Sequence, residues 1–225
     1  MSQHPSLEAL AKDTRLANRK GAEQLVQVWK NCKKCDLYRT AGDFHVFFRG
    51  TLPCDLLFIG EAPGNDEARQ GKPFIGSSGR LLNILLEESL ELLAKTTGAS
   101  KAATPQFKWN PRVAITNVVA CRPLDAANKI VPPKNEHATK CAPRLVETLT
   151  LAAPKVGIIR LGATARTLTD ASLAAWAAQT PGPHPPILDL WHPAYISRQG
   201  GRASPTYERW RDDFIAWIRI QLSKL

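Results

Sequence analysis

The chain has 225 residues, 44% of them hydrophobic, which is enough for one domain with its own core. No apolar run approaches the roughly 20 residues of a membrane helix, and the N-terminus lacks the apolar segment of a signal peptide, so we expect a soluble, cytoplasmic protein without a membrane partner. The net charge of +10 favours a polyanionic partner, nucleic acid before an anionic membrane surface. A merely basic protein would have the same composition.

Apolar runs and helical periodicities alternate along the chain. Residues 1–20 are polar and basic and are predicted to form a loosely ordered arm before one domain over residues 21–225. Strands are predicted at residues 55–59, 112–119, 156–161 and 187–190, and residues 36–53 are predicted to be a loop or a short edge strand. Helices are predicted at residues 22–30, 80–93, 136–151, beyond Gly162 and at 207–225, with polar or irregular connections at 95–111 and 124–135.

This order of elements predicts a single-domain α/β fold, a parallel sheet with helices on both faces. Pro143 is unfavourable inside a helix, so a later start of the helix at 136–151 is the alternative. Three predicted strands end in unusual turns, at residues 60–64, 117–123 and 192–195. The carboxyl ends of parallel strands meet at one edge of the sheet. We therefore expect one pocket to contain Glu61, Glu67, Phe74, Asn117 and His192.

Each of these residues has a functional and a plain structural interpretation. Glu61 could orient or activate water, or it could be a solvated turn residue. Phe74 lies among glycines and could stack on a planar base, although a core phenylalanine fits as well. Asn117 is a polar residue in an apolar strand, and its amide both donates and accepts, as a base edge requires. His192 could donate to developing negative charge, or be a structural histidine.

Five cysteines in an intracellular chain argue against a disulfide framework. Cys32 and Cys35 form a CxxC pair, and with Cys121 and Cys141 they would suit a tetrahedral four-thiolate site for zinc or an iron–sulfur cluster. Cys54 has no partner at such a spacing and is predicted to be a core residue. The alternative is five unrelated buried thiols.

A basic segment follows His192 and contains a Gly-Gly pair and a proline. We interpret it as a flexible loop that could contact DNA phosphates or enter a groove, and a solvated surface loop is the alternative. Its arginines are Arg198, Arg202, Arg209 and Arg211.

Longer segments resemble the iron–sulfur (family 4) uracil-DNA glycosylases, and the similarity spans roughly residues 25–220. They are CKKCDLYRT at 32–40, LLFIGEAPGNDEARQGKPFIGSSGRLL at 56–82, ITNVVACRP at 115–123, Cys141, LGATA at 161–165 and HPAYI at 192–196. The GEAPG…GKPF…G segment together with HPAY is far more specific than the CxxC pair alone.

The resemblance implies an α/β/α sandwich around a four-stranded parallel sheet, and a monomer that acts on uracil-containing DNA, at the nucleoid in a prokaryote. It implies hydrolysis of the N-glycosidic bond of deoxyuridine after base flipping. Glu61 would be the catalytic carboxylate, and Phe74 would stack on the uracil. Asn117 would read its polar edge and His192 would face its carbonyl. Glu67 would border the pocket.

The resemblance also implies that backbone amides near Ala62 stabilise the departing base. For the cysteines it implies a structural 4Fe-4S cluster rather than zinc. The ligands of this cluster would be Cys32, Cys35, Cys121 and Cys141.

The chain departs from the family pattern in three places. Ala68 stands where the family usually has an acidic residue, and the N-terminal arm is longer and basic. The segment from Cys121 to Cys141 is longer, which leaves open whether Asn128 fills an auxiliary polar position there. His137 lies in this segment without the basic run of a branch that cross-links to uracil, which argues against cross-linking. Two other hypotheses remain: a non-catalytic or covalently uracil-trapping iron–sulfur DNA-binding relative, and a zinc-stabilised nuclease or nucleotide hydrolase.

Overall fold

The computed structural model describes residues 20–97 and 111–224. The predicted N-terminal arm lies outside these ranges except for residue 20. Most of the predicted polar connection at 95–111 also lies outside them. Residues 95–97, by contrast, continue the preceding helix.

Helices and strands alternate as predicted. The helices are α1, described over residues 20–29, and α2 to α7, at Asn65–Gln70, Ser77–Thr97, Asn135–Ala152, Ala163–Gln179, Pro193–Arg198 and Pro205–Leu222. The strands β1 to β5 are Phe48–Gly50, Leu56–Gly60, Val113–Asn117, Gly157–Leu161 and Ile187–Leu190. Short 3-10 helices are formed by Asp36–Thr40 and Gly201–Ala203. None of the helices in the described part of the chain is long and apolar enough to cross a membrane.

The sheet has the strand order β1-β3-β2-β4-β5. The strands β3, β2, β4 and β5 are parallel, which confirms the predicted four-stranded parallel sheet and the single α/β domain. Strand β1 adds an antiparallel edge and pairs Phe48 with Thr116. The short edge strand that the sequence left open is therefore present.

Alternate residues of β2 point to opposite faces of the sheet, so this strand contributes to two cores. Leu56 and Phe58 belong to a cluster with the apolar faces of α3 and α7, which supply Leu82, Leu85, Trp210, Phe214 and Ile218. Leu57 and Ile59 belong to a second cluster with α4 and α5, which supply Leu145, Leu149, Leu173 and Trp176. Both faces of the sheet are thus covered, and its carboxyl edge is left accessible.

Several predicted element boundaries differ from the structure; helix α3, for example, spans Ser77–Thr97 instead of residues 80–93. Helix α4 continues through Pro143, so the alternative of a later start is wrong. The loss of one helical hydrogen bond at Pro143 is offset because Leu145 and Leu149 bury their side chains against the sheet. Helix α7 begins at Pro205, where the Ser204 side chain accepts a hydrogen bond from a backbone N–H of the first turn.

The early start of α7 corrects the prediction of a flexible basic loop. Arg209 and Arg211 lie on this helix. Each is close to an acidic neighbour, Asp213 and Asp212 respectively. The other two arginines of the basic segment also lie in helical elements, Arg198 at the end of α6 and Arg202 in the 3-10 helix Gly201–Ala203.

Candidate functional site

A cleft of about 830 Å³ opens at the carboxyl edge of the sheet. Its walls come from the turn after β2, the first turn of α3, the start of α5 and the segment from β5 into α6. Glu61, Ala62, Glu67, Phe74 and His192 all line it, as predicted from the strand ends. The structure therefore brings these side chains together at the expected edge.

Asn117, the last residue of β3, is not among the residues that line the cleft, and it lies beside Gly60, close to the ring of Phe74. Asn117 is fully buried, and both polar atoms of its carboxamide lack a hydrogen-bond partner among the described residues. A Cβ atom at Gly60 would lie 2.6 Å from Asn117 Oδ1 and 2.4 Å from the ring of Phe74. Glycine at position 60 therefore lets the strand end, the carboxamide and the aromatic ring approach closely.

Phe74 is held in an uncommon backbone conformation beside this carboxamide. Its φ of 55° lies in the left-handed region, which is unfavourable for a bulky residue. Its ring centroid is 5.7 Å from that of His192, at an interplanar angle of 42°. The ring is therefore held between the sheet edge and His192.

The carboxylate of Glu67 holds the turn that carries Phe74. It accepts hydrogen bonds from the backbone N–H groups of Gly64, at 2.5 Å, and of Phe74 and Ile75. Burial raises the pKa of Glu67, while these three hydrogen bonds act in the opposite direction. Glu67 thus borders the cleft as predicted, with its charge directed at the main chain of the cleft wall.

His192 caps the N-terminus of α6. Its Nδ1 accepts a hydrogen bond from the backbone N–H of Ala194 at 3.1 Å, so the proton of the neutral ring is on Nε2. Burial and, to a smaller extent, the positive charge of Arg198 lower the pKa of His192 to about 4. At neutral pH the ring is therefore an uncharged donor.

Glu61 and Ala62 follow β2 directly and are partly exposed in the cleft. The backbone carbonyl of Glu61 accepts a hydrogen bond from the N–H of Val119 at 3.4 Å, which fixes the start of the turn. No described residue donates a hydrogen bond to its carboxylate. This side chain is therefore available for water or a ligand.

Sequence reasoning missed several residues that line the cleft. Ser77 and Ser78 open α3, and a polar pair at a helix N-terminus could have indicated them. Trp191 and Tyr195 flank His192 in sequence, have ring centroids 6.0 Å apart and are both more than one third exposed. Their adjacency to His192 was the available signal. Two further missed residues, Ile130 and Pro132, belong to the loop after β3, and no sequence signal pointed to them.

The predicted DNA-contacting arginines occupy different environments. Arg198 is exposed and lines the cleft. Arg202 makes a salt bridge with Glu88, which also accepts a hydrogen bond from Tyr207 Oη at 2.7 Å. Arg209 lies over the ring of Trp191, 5.4 Å from its centroid.

Two of the three departures from the family pattern, Ala68 and the longer segment between Cys121 and Cys141, can be placed in the structure, whereas the N-terminal arm lies outside the described residues except for residue 20. Ala68 is fully buried, and a Cβ atom at Gly42 would lie 3.0 Å from its Cβ, so a carboxylate at position 68 would have no room and no water. Asn128 lies in a turn at φ 58°, where its N–H donates to Asp125 O, and it is absent from the cleft walls. His137 is buried on α4 and pairs with Asp36 at 2.9 Å, away from the cleft.

The four cysteines of the predicted metal site line one cavity, together with Trp29, His45, Lys140 and Arg144. Burial raises the pKa values of the Cys35 and Cys121 thiols, and the charges of the other cysteines of the set raise them further. Within the described ranges, no three His, Cys, Asp or Glu side chains are arranged to hold a single metal ion.

Cys54 is separate from this set, as predicted. It is fully buried in the core beside Leu57 and Ile59. Burial raises the pKa of its thiol to about 12. Its surroundings are those of an inert core residue.

Comparison with known proteins places the chain in a family. Residues 47–215 match the Uracil DNA glycosylase superfamily. The type-4 uracil-DNA glycosylase of Sulfurisphaera tokodaii is 33% identical over 132 residues, which cover 59% of this chain and 50% of that protein. The type-4 enzyme of Archaeoglobus fulgidus is 34% identical over 140 residues, covering 62% of this chain and 59% of that protein.

A third relative aligns over a longer stretch. The type-4 uracil-DNA glycosylase of Pyrobaculum aerophilum is 28% identical over 188 residues, 79% of this chain and 85% of that protein. With the first two relatives, the match spans only about half or slightly more of their length. Since the superfamily match covers most of the described fold and its relatives are type-4 enzymes, the resemblance seen in the sequence is confirmed, and the chain belongs to the uracil DNA glycosylase superfamily.

Proposed function

We propose that this protein is a uracil-DNA glycosylase, which hydrolyses the N-glycosidic bond of deoxyuridine in DNA and leaves an abasic site. The observation that carries the proposal is the unpartnered carboxamide of Asn117 beside the ring of Phe74. A buried polar atom without a partner costs about 1–3 kcal/mol, so such a pair of atoms needs a ligand. Uracil presents a ring N–H next to a carbonyl, and this pair matches one acceptor and one donor.

The cleft is suited to a base outside the helix. A base within a duplex is unreachable, so the nucleotide must be flipped out, at a cost of a few kcal/mol. Stacking on Phe74 and hydrogen bonding to Asn117 would offset this cost. Glu67 contributes by holding Phe74 in place.

Bond cleavage leaves negative charge on uracil and positive charge on the sugar. His192 would donate from Nε2 to the developing oxyanion, and the backbone N–H of Ala62, which lines the same cleft, would assist it. Because the ring is neutral, its Nδ1 remains bound to the N–H of Ala194 throughout. Glu61 orients the attacking water and offsets the charge of the sugar.

DNA binding by one copy of the chain fits the charges. As the family resemblance implies, we propose a monomer acting on uracil-containing DNA, in the cytoplasm and, in a prokaryote, at the nucleoid. Arg198 at the cleft would contact a phosphate directly, whereas Arg202 would first have to leave Glu88. The net charge of +10 supplies the general attraction.

We infer that the cysteine cavity holds a 4Fe-4S cluster on Cys32, Cys35, Cys121 and Cys141. Support comes from the donor set: four cysteines line one cavity, and four cysteine thiolates are the usual ligands of such a cluster. The cluster would cross-link segments that are distant in sequence. It would take no part in hydrolysis. These cysteines come from the turn after α1, the loop after β3 and the middle of α4.

Excision of uracil tests the proposed activity. We expect a labelled single-stranded oligonucleotide with one uracil to yield an alkali-labile abasic site, and Glu61→Gln to lower the single-turnover rate while the protein keeps its melting temperature. An oligonucleotide with cytosine at the same position is the control. If no abasic product forms when the enzyme is in excess, the glycosylase hypothesis is excluded and a non-catalytic DNA-binding relative is favoured.

A further inference from the structure

Arg144 is a buried cation between the cysteine cavity and the end of β3. It is fully buried within α4. Its Nη2 donates to the backbone carbonyls of Asn117 at 2.8 Å and Val118 at 2.6 Å, and its Nη1 donates to Thr116 Oγ1 at 3.1 Å. One guanidinium thus binds three consecutive residues at the carboxyl end of the strand.

The same guanidinium contacts the cysteine site. Nη2 lies 3.5 Å from Cys141 Sγ, and Arg144 lines the cavity that the four cysteines share. Among the described residues, no carboxylate is within salt-bridge distance of Arg144. A buried cation without a partner is costly, and the cysteines of this cavity are the neighbouring groups that, as ligands of the inferred cluster, would supply a counter-charge.

Asn117 depends on this contact for its position. Its carboxamide has no partner among the described residues, so its direction is set by its backbone and by close packing against Gly60 and Phe74. The backbone carbonyl of Asn117 accepts a hydrogen bond from Arg144 Nη2 at 2.8 Å. A displacement of the guanidinium would therefore move the backbone that carries the carboxamide.

We propose that Arg144 is a positioning residue that couples the cysteine site to the uracil-reading residue Asn117. Its charge is held by the thiolates, and its hydrogen bonds hold the end of β3 in the geometry that uracil requires. This inference rests on the proposed function and deepens it. It assigns α4 a part in base recognition although no residue of α4 lines the cleft.

The test uses the cluster-loaded protein, with three variants and two measurements. Arg144→Gln removes the positive charge. Arg144→Lys keeps the positive charge but loses the planar guanidinium group with its several N–H donors. Lys140→Gln is the matched control, because Lys140 is an exposed cation that lines the same cavity. The measurements are the dissociation constant for free uracil, by calorimetry, and the midpoint potential of the cluster, with iron content and melting temperature recorded for each protein.

Arg144→Gln should shift the potential to more negative values, because a nearby positive charge favours the reduced cluster, and should weaken uracil binding about tenfold. Arg144→Lys should keep a potential close to that of the wild type and bind uracil with intermediate affinity. Lys140→Gln should change neither quantity, because water screens its charge.

Wild-type affinity in a folded Arg144→Gln protein would overturn the coupling, and so would an unchanged potential. If the Arg144→Gln protein does not fold, the test uses the uracil affinity of the Arg144→Lys protein. A wild-type uracil affinity in the Arg144→Lys protein would overturn the inference. Failure of the proposed function is distinguishable, since the wild-type protein itself would then produce no abasic site in uracil-containing DNA, whatever its affinity for free uracil.

Discussion

At the scale of single residues, His192 shows how position sets chemistry. As the N-cap of a short helix it must accept from a backbone N–H, so only its other nitrogen can donate into the cleft. Burial and Arg198 favour the neutral ring. A histidine built in this way donates a hydrogen bond at neutral pH without carrying charge, which suits an anionic leaving group.

The titration of His192 should occur near pH 4. Since its folded-state pKa is depressed, the ring should stay neutral as the pH falls from 7 to 5 and gain its second proton only as the pH falls through about 4. Nitrogen NMR of the imidazole should show a proton on Nε2 and none on Nδ1 at pH 6. Arg198→Gln should raise the midpoint, because it removes a positive neighbour. A midpoint near 6.5 in the wild type would contradict the account.

Some single residues could be predicted from sequence and others could not. Asn117 was recognisable as an isolated polar residue in an apolar strand, and Cys54 as a cysteine without a partner spacing. The structural role of Glu67 was not visible, because it depends on three backbone N–H groups that converge only once the turn has formed. The burial of Ala68 depends likewise on a distant loop around Gly42.

At the scale of elements, the segment from β2 to α3 builds the cleft. It contains the turn after Gly60, the short helix α2 and the strained residue Phe74. Backbone hydrogen bonds to a single carboxylate connect its two ends. The strain at Phe74 is therefore maintained by Glu67.

Glu67→Ala should destabilise the protein by about 2 kcal/mol, because three backbone N–H groups lose their acceptor. Uracil excision should fall as well, since Phe74 loses its support. Urea denaturation and single-turnover excision measure the two effects. Asp66→Ala is the control: its carboxylate is about half exposed and pairs with Arg69 on the surface, so the change should stay within about 0.5 kcal/mol. Equal effects of the two substitutions would contradict the role of Glu67.

The long elements were predictable and the short ones were not. Apolar runs located four strands; β2, β3 and β4 are buried on both faces or close to it, whereas β5 at the sheet edge is largely exposed. Helices α2 and α6 have six residues each, too few to show a periodicity. Strand β1 has only three residues, Phe48–Gly50, and becomes a strand through pairing with β3.

At the scale of the whole molecule, the cysteine site joins segments that the sheet alone does not hold. Helix α1 packs Leu25 and Trp29 against Phe47 and Ala120, a small cluster next to the cysteines. Trp29 also donates to Glu147 of α4 at 2.8 Å. The cavity thus lies where α1, α4 and the loop after β3 meet.

Cys121→Ser should lose iron and lower the melting temperature, because ligand binding contributes to folding. Cys54→Ala should keep the iron, because Cys54 lies in the core away from the cavity. Iron analysis, visible absorption and thermal unfolding measure this contrast. Full iron content in Cys121→Ser would show that the ligand assignment is wrong.

The central claim is that the buried carboxamide of Asn117 is reserved for uracil, and single-turnover excision by Asn117→Leu tests it most directly. Leucine has a similar volume but no polar atoms. We predict excision on the order of 100-fold slower, for two lost hydrogen bonds of about 1.4 kcal/mol each, together with an equal or higher melting temperature, because two unpaired buried polar atoms are removed. A folded Asn117→Leu protein that excises uracil at the wild-type rate would contradict the account.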